Sequence, residues 1–191
     1  MESILSRKDY QEIYDLLNST ELLDYDCGTL CGAACCTQSR EYSEEEMGIY
    51  LLPGEEQLHA DSDWLDIRVS RAEDHDLPKS WTGDVYFVRC KTPPICPRDK
   101  RPIQCRTFPL APHIDEDGEL MMVYNDLELP YECPLIEDEI PLNDEFVEAI
   151  TKAWASLIED PRIYDMVKMD SEAREEAFME LADMLGVNFF E

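Results

Sequence analysis

Residues 24–36 read DYDCGTLCGAACC and place Cys27, Cys31, Cys35 and Cys36 within ten positions. Four thiols this close together can bind a metal, form disulfides or remain free. A disulfide between the adjacent residues Cys35 and Cys36 would close a strained ring around a distorted peptide bond. The composition, the net charge and the expected compartment of the chain discriminate among these alternatives.

The length and composition predict one domain over residues 1–191. The chain has 191 residues, 44% of them apolar, which is enough to bury a hydrophobic core. No internal repeat or linker divides it.

The charge is strongly acidic. Forty-four acidic and 16 basic side chains give a formal net charge of -28. Such a charge disfavours nucleic acid and anionic membrane lipid as partners, and no window approaches the roughly 20 apolar residues of a membrane-spanning helix. The N-terminal residues lack the apolar run of a signal peptide, so we expect a cytosolic protein. In a reducing cytosol, eight clustered cysteines indicate metal binding or redox chemistry rather than disulfides.

The hydrophobic pattern predicts an α+β fold, in which a small antiparallel sheet and N- and C-terminal helices pack around a cysteine-rich metal site. The predicted elements are a helix over 7–18, whose start is marked by Ser6 and Asp9, strands over 48–52, 65–70 and 84–89, a hairpin turn at 117–118, and helices over 143–160, 161–168 and 171–185. The first helix has an apolar face of Tyr10, Ile13, Tyr14 and Leu17. Asn143 is the expected cap of the helix over 143–160, whose apolar stripe is Phe146, Val147, Ile150, Trp154, Leu157 and Ile158.

We expect the metal-binding core over about 24–112 and a helical part over about 143–186. In the last helix, Ala177, Phe178, Leu181, Ala182 and Leu185 are predicted to face inward.

A second cysteine segment, RCKTPPICPRDKRPIQCRTFPLAPHI, spans residues 89–114 and contains Cys90, Cys96 and Cys105. Six of the chain's 16 basic residues lie within residues 89–106, where Asp99 is the sole acid. Positive charge lowers thiol pKa values and stabilises bound thiolates, which makes Arg101 and Arg106 candidate cofactor-binding residues. Alternatively, these basic residues pair with the acidic remainder of the surface.

The two segments together resemble the YkgJ-type cysteine-cluster family, whose members are described as zinc- or iron-chelating proteins. The resemblance covers residues 24–112 and rests on the first cluster and on the RPxxCRxFP motif of residues 101–109. It implies a cysteine-ligated zinc ion or iron–sulfur cluster, with [4Fe–4S] favoured among cluster types. This chain reads CxxxCxxxCC where the family has CxxCxxCC, so the pairing of the first thiols is open.

Zinc and iron–sulfur clusters both accept four thiolates, so the sequence leaves the metal open and permits one site or two. The candidate ligands are Cys27, Cys31, Cys35, Cys36, Cys90, Cys96, Cys105 and Cys133. We expect His59, His75 and His113 to be surface or satisfied core residues, because none has a metal-binding partner at helical spacing. The acidic runs 44–46 and 115–117 lack calcium-loop spacing and indicate solvated surface.

Metal binding is therefore the expected function, with two alternatives. The first is an iron–sulfur enzyme that modifies or reduces a protein or a small acidic substrate; flagellin lysine methylases look similar in their cysteine segment. No nucleotide-binding or hydrolase motif supports catalysis directly. The second alternative is an interaction module in which a metal maintains the fold. The sequence identifies no protein partner.

Overall fold

The computed structural model describes residues 4–37, 48–125, 129 and 131–186. It has the expected α+β architecture, with helices at both ends of two small antiparallel sheets. The helices are α1 (Arg7–Asn18), α2 (Gly28–Cys31), α3 (Ala34–Thr37), α4 (Glu56–His59), α5 (Ile103–Thr107), α6 (Pro134–Glu137), α7 (Asp144–Leu157) and α8 (Pro161–Leu185). The strands are β1 (Ile49–Tyr50), β2 (Leu65–Arg71), β3 (Asp84–Cys90), β4 (Leu110–Ile114) and β5 (Leu120–Tyr124).

Helix α1 begins at a complete capping box. The Ser6 hydroxyl accepts from the backbone amide of Asp9, and the Asp9 carboxylate accepts from the backbone amide of Ser6 at 2.7 Å. These two bonds satisfy amides that a helix end leaves without partners. The helix then buries one apolar face, as the sequence predicted; this face consists of Tyr10, Ile13, Tyr14 and Leu17.

The sheets differ from the single sheet that the sequence predicted. Strand β3 is central in the first sheet, between β1 and β2. Strands β4 and β5 form a separate hairpin, whose turn contains Gly118 at φ +85°. The first strand is shorter than expected. After Tyr50, one further bond joins the Leu51 amide to the Tyr86 carbonyl at 2.8 Å, and Leu51 and Leu52 then enter the core as irregular chain.

The main core joins α1, α7, α8 and the second sheet. Helix α7 contributes the expected stripe of Phe146, Ile150, Trp154 and Leu157, all at most 5% exposed. Asn143 precedes α7 as predicted, but its side-chain amide donates to the carbonyl of Glu21 (3.0 Å) instead of capping the helix.

Helix α8 is one continuous helix, where the sequence predicted two. Asp160 caps it by accepting from the Arg162 amide, Pro161 occupies its first turn, and Gly186 ends it at φ +66°. Ser171 binds it to the second sheet, because its hydroxyl accepts from the Ile114 amide at 3.0 Å. The predicted break at 168–171 was wrong, since no helix-breaking residue lies there.

The inward face predicted for the last part of α8 was also largely wrong. Ala182 is 5% exposed, whereas Phe178, Leu181 and Leu185 are 55%, 54% and 69% exposed. Ala177 is exposed as well. Helical periodicity identifies an apolar face but not what covers it. None of the described helices is long and apolar enough to cross a membrane.

We expect Ile150→Ala to lower the free energy of unfolding by about 2–5 kcal/mol, because a fully buried side chain in α7 is replaced by a cavity. Urea denaturation followed by circular dichroism measures this loss. Ile95→Ala is the control: Ile95 is 77% exposed, so its truncation should change stability by less than about 0.5 kcal/mol. Equal effects of the two changes would contradict the assignment of the core.

Candidate metal centre

The eight cysteines lie in short helices, at the ends of elements or in loops, and none lies within a long helix. Cys27 precedes α2 and Cys31 ends it, Cys35 and Cys36 belong to α3, Cys90 ends β3, Cys96 lies in the following loop, Cys105 belongs to α5, and Cys133 precedes α6. All eight are free thiols. An ion pair between Arg98 and Asp26 joins the two cysteine segments that the sequence identified.

Four of these thiols line one cavity of about 340 Å³. They are Cys35, Cys36, Cys90 and Cys105. The remaining wall is mainly apolar and includes Ile49, Leu65, Val88, Pro102 and Tyr131. Thus α3, the end of β3 and α5, which are distant in sequence, place cysteines around a common space.

Within this cavity, the Sγ atoms of Cys35 and Cys36 are 3.8 Å apart. Two thiolates on one tetrahedral zinc ion, each about 2.3 Å from the metal, have a separation of about 3.8 Å. The adjacent pair therefore has the spacing of two ligands to a single ion without any disulfide between them.

The Cys35–Cys36 pair also shares a proton unequally. The hydrogen bond with Cys35 lowers the pKa of Cys36 to about 6, and the positive charges of Arg101 and Arg98 act in the same direction. The same hydrogen bond raises the pKa of Cys35. The hydrogen bond and the two arginines thus favour thiolate at Cys36, and thiolate is the form that binds metal.

The other two cavity thiols are held in the neutral form. Burial raises the pKa of Cys105 to about 12, with a further contribution from Cys36 and Cys90. Cys105 nevertheless keeps exposed surface and lines the cavity. Burial is the main cause that raises the pKa of Cys90 to about 11, and the nearby thiols of Cys96 and Cys36 also raise it. A bound cation would offset this mutual repulsion of the thiolates.

Of the two arginines predicted to bind a cofactor, Arg101 contacts a sulfur directly. Its Nε donates to the Sγ of Cys96 at 2.9 Å. Its charge also favours the thiolate forms of Cys36 and Cys105 by lowering their pKa values. Arg106 lies elsewhere: its guanidinium is 4.9 Å from the centre of the Tyr14 ring and donates to Asn18.

The remaining thiols, Cys27, Cys31 and Cys133, form a second group. Cys133 is 6% exposed and packs in a small apolar cluster that also contacts Cys27. Burial raises its pKa, and Cys31 is close enough to raise it further. Cys27 also raises the pKa of Cys35, so this group adjoins the cavity.

No group of three or more Cys, His, Asp or Glu side chains within residues 4–37, 48–125, 129 and 131–186 is arranged to hold a metal ion. The structure therefore brings the thiols into one region without converging them on a point. The acidic run at 44–46 lies outside the described residues.

A buried polar network behind α5 was not identified by the sequence. Glu55 is 0% exposed. It accepts from the Tyr14 hydroxyl at 2.6 Å, from the Ile103 amide at 2.7 Å and from the Leu52 amide at 3.0 Å. The bond to Ile103 fixes the start of α5, the helix that carries Cys105. The i, i+4 spacing of Glu55 and His59 in the sequence was a signal, but an acid after Pro-Gly is more often solvated.

His59 completes this network. Its Nε2 is 2.9 Å from the Tyr14 oxygen, and its Nδ1 is buried without a partner among the described residues. Tyr14 donates its single proton to Glu55, so His59 donates to the Tyr14 oxygen through Nε2. Burial lowers the pKa of His59 and favours its neutral form. His75 instead bonds to Ser70 (2.6 Å), and His113 lies 3.3 Å from Glu175.

The chain matches no protein-family model, and no similar protein was found among curated sequences or solved structures. The resemblance to the YkgJ-type family therefore stays an inference from the cysteine motifs. The class that the structure itself supports is an α+β protein with a cysteine-lined cavity.

We expect the stability of the protein to depend on pH through His59. Burial lowers its pKa from 6.5 to about 4, so the unfolded chain binds the proton more tightly. Neutral His59 therefore makes its full contribution to the free energy of unfolding above pH 6.5. This contribution decreases by about 3 kcal/mol in total as the pH falls towards 4.

Urea denaturation at several pH values between 4 and 7 measures this dependence. The control is His59→Gln. Subtracting its free energy of unfolding from that of the native protein at each pH cancels the contributions of titrating groups common to both. A difference that is constant over this pH range would contradict a buried, neutral His59.

Proposed function

We propose that this protein binds a metal centre, a zinc ion or an iron–sulfur cluster, through the cysteines of the cavity. The observation that carries the proposal is the meeting of Cys35, Cys36, Cys90 and Cys105, from three separate segments, around one space. Thiolates are soft ligands that select zinc, copper(I) and iron–sulfur clusters over magnesium or calcium. The donor set therefore fits the expected cofactors.

Two observations bear on the identity of the metal. The 3.8 Å separation of the Cys35 and Cys36 sulfurs suits two ligands on one ion. The cavity volume of about 340 Å³ also leaves room for a larger group such as a cluster. Both [2Fe–2S] and [4Fe–4S] clusters take four thiolate ligands, and we propose [4Fe–4S] as the cluster type.

The residues around the thiols would stabilise either group. Arg101 donates to Cys96 and offsets the negative charge that four thiolates bring. Cys96 adjoins Cys90 and is a fifth available ligand, while Cys27, Cys31 and Cys133 would supply three of the four ligands of a second centre. A zinc ion would cross-link the segments, and an iron–sulfur cluster would supply electron transfer. Such a thiol-rich protein belongs in a reducing compartment, which supports the proposed cytoplasmic location.

An enzymatic function is the second candidate, because Arg89 lines the same cavity as the thiols. A guanidinium beside an iron–sulfur cluster would orient a small acidic substrate or an acidic protein side chain. This alternative requires space for the substrate beside the cluster.

Anaerobic purification followed by metal analysis, sulfide analysis and an absorption spectrum tests the proposal. Iron with acid-labile sulfide and a brown colour would support a cluster, whereas stoichiometric zinc without sulfide would support a zinc site. Protein that contains neither metal after anaerobic purification, and binds neither on reconstitution, would overturn the proposal.

We expect Cys105→Ser to remove at least half of the bound metal or to abolish the cluster absorption, because oxygen replaces one sulfur in the cavity wall. Thr107→Ser is the matched control. Thr107 lies in the same short helix and is 2% exposed, but does not line the cavity, so this variant should keep its metal. Metal retention by both variants would exclude Cys105 as a ligand.

A further inference from the structure

The C-terminal half of α8 has an exposed apolar stripe. Ala177, Leu181, Met184 and Leu185 follow the i, i+4, i+7, i+8 pattern that places side chains along one side of a helix. Leu181, Met184 and Leu185 are 54%, 84% and 69% exposed. These four residues are the α8 stripe.

The same helix buries its apolar residues where it crosses the core. Ile163 and Val167, in its first two turns, are both 0% exposed. The α8 stripe contributes to none of the apolar clusters formed by the described residues. Contiguous exposed apolar side chains bordered by charge are typical of binding surfaces.

The charges within residues 175–185 are all negative, and the nearest basic residue in the sequence, Arg174, donates to the Pro112 carbonyl at 3.2 Å. Residues 175–185 contain Glu175, Glu176, Glu180 and Asp183 and no basic residue. Glu175 lies against His113. The other three carboxylates are exposed and form no ion pair with the described residues. They remain available to a partner of opposite charge.

We propose that the α8 stripe is a docking surface for a basic amphipathic helix of a partner protein. An apolar helix face with acidic borders is complementary to a helix that carries leucine-like residues on one side and lysine or arginine at its edges. Met184, the most exposed member of the stripe, has an unbranched side chain that adapts to different apolar surfaces.

The charge distribution argues against the other occupants. Pairing of two α8 stripes in a symmetric dimer would bring the acidic borders of both copies together, which is destabilising. An anionic membrane surface would be repelled by the same carboxylates and by the net charge of -28. A cationic helix gains both the apolar contact and the charge pairing.

The test uses a fluorescent 14-residue helical peptide made only of leucine and lysine, with its leucines along one face. Binding to the full-length protein is measured by fluorescence anisotropy at 150 mM salt. Leu181→Asp is compared with Val69→Asp, which introduces the same charge at a site of similar exposure, 57%, on β2.

We expect Leu181→Asp to weaken binding at least tenfold and Val69→Asp to leave it unchanged or slightly stronger. Attraction by net charge alone predicts that both added carboxylates strengthen binding, and this result would overturn the proposal. Circular dichroism of each variant checks that α8 remains folded.

A measurement on the native protein makes the test independent of the variants. The ¹³C-methyl resonance of Met184 should shift on peptide addition, while that of Met122, half-buried in β5, should not. An unchanged Met184 resonance at saturating peptide would overturn the proposal. Sedimentation showing a dimer that Leu181→Asp dissociates would assign the stripe to a second copy instead.

Discussion

The buried carboxylate of Glu55 is the interaction on which the arrangement around the cavity depends. Its hydrogen bonds join α1 through Tyr14, the chain after β1 through Leu52, and the start of α5 through Ile103. Burial raises the pKa of Glu55, and these three donors act in the opposite direction. Since an unpaired buried charge is very unfavourable, all three segments must keep their positions together.

This constraint reaches the thiols through the short helix α5. A five-residue helix has little stability of its own. The Ile103 amide bonded to Glu55 at one end and the Arg106 guanidinium over Tyr14 near the other hold it against α1. Cys105 lies between these two contacts, and its position in the cavity wall follows from them.

The cavity and the α8 stripe have opposite local charge. Around the thiols, Arg101 and Arg98 form a positive region that favours thiolate at Cys36. Beside the α8 stripe, Glu176, Glu180 and Asp183 form no ion pair with the described residues. The first arrangement favours negatively charged sulfur ligands within the protein, and the second favours a positively charged partner outside it.

The sequence by itself determined the elements whose signals are local. The Ser6–Asp9 capping box, the apolar stripe of α7 and the Gly118 turn all depend on neighbours within a few residues, so their patterns predicted them correctly. The α+β class followed from these elements. The two cysteine segments were also evident, because the clustering and the basic residues can be read directly from the chain.

Only the tertiary structure decided which thiols meet and which apolar faces are covered. Cys35, Cys36, Cys90 and Cys105 share a cavity because β3 and α5 bring distant segments together. No spacing in the sequence encodes that contact. Likewise, the periodicity of α8 identified an apolar face, but its C-terminal half extends beyond the described core. The burial of Glu55 could not be predicted from the sequence for the same reason, since a carboxylate is stable in the interior only when distant donors surround it.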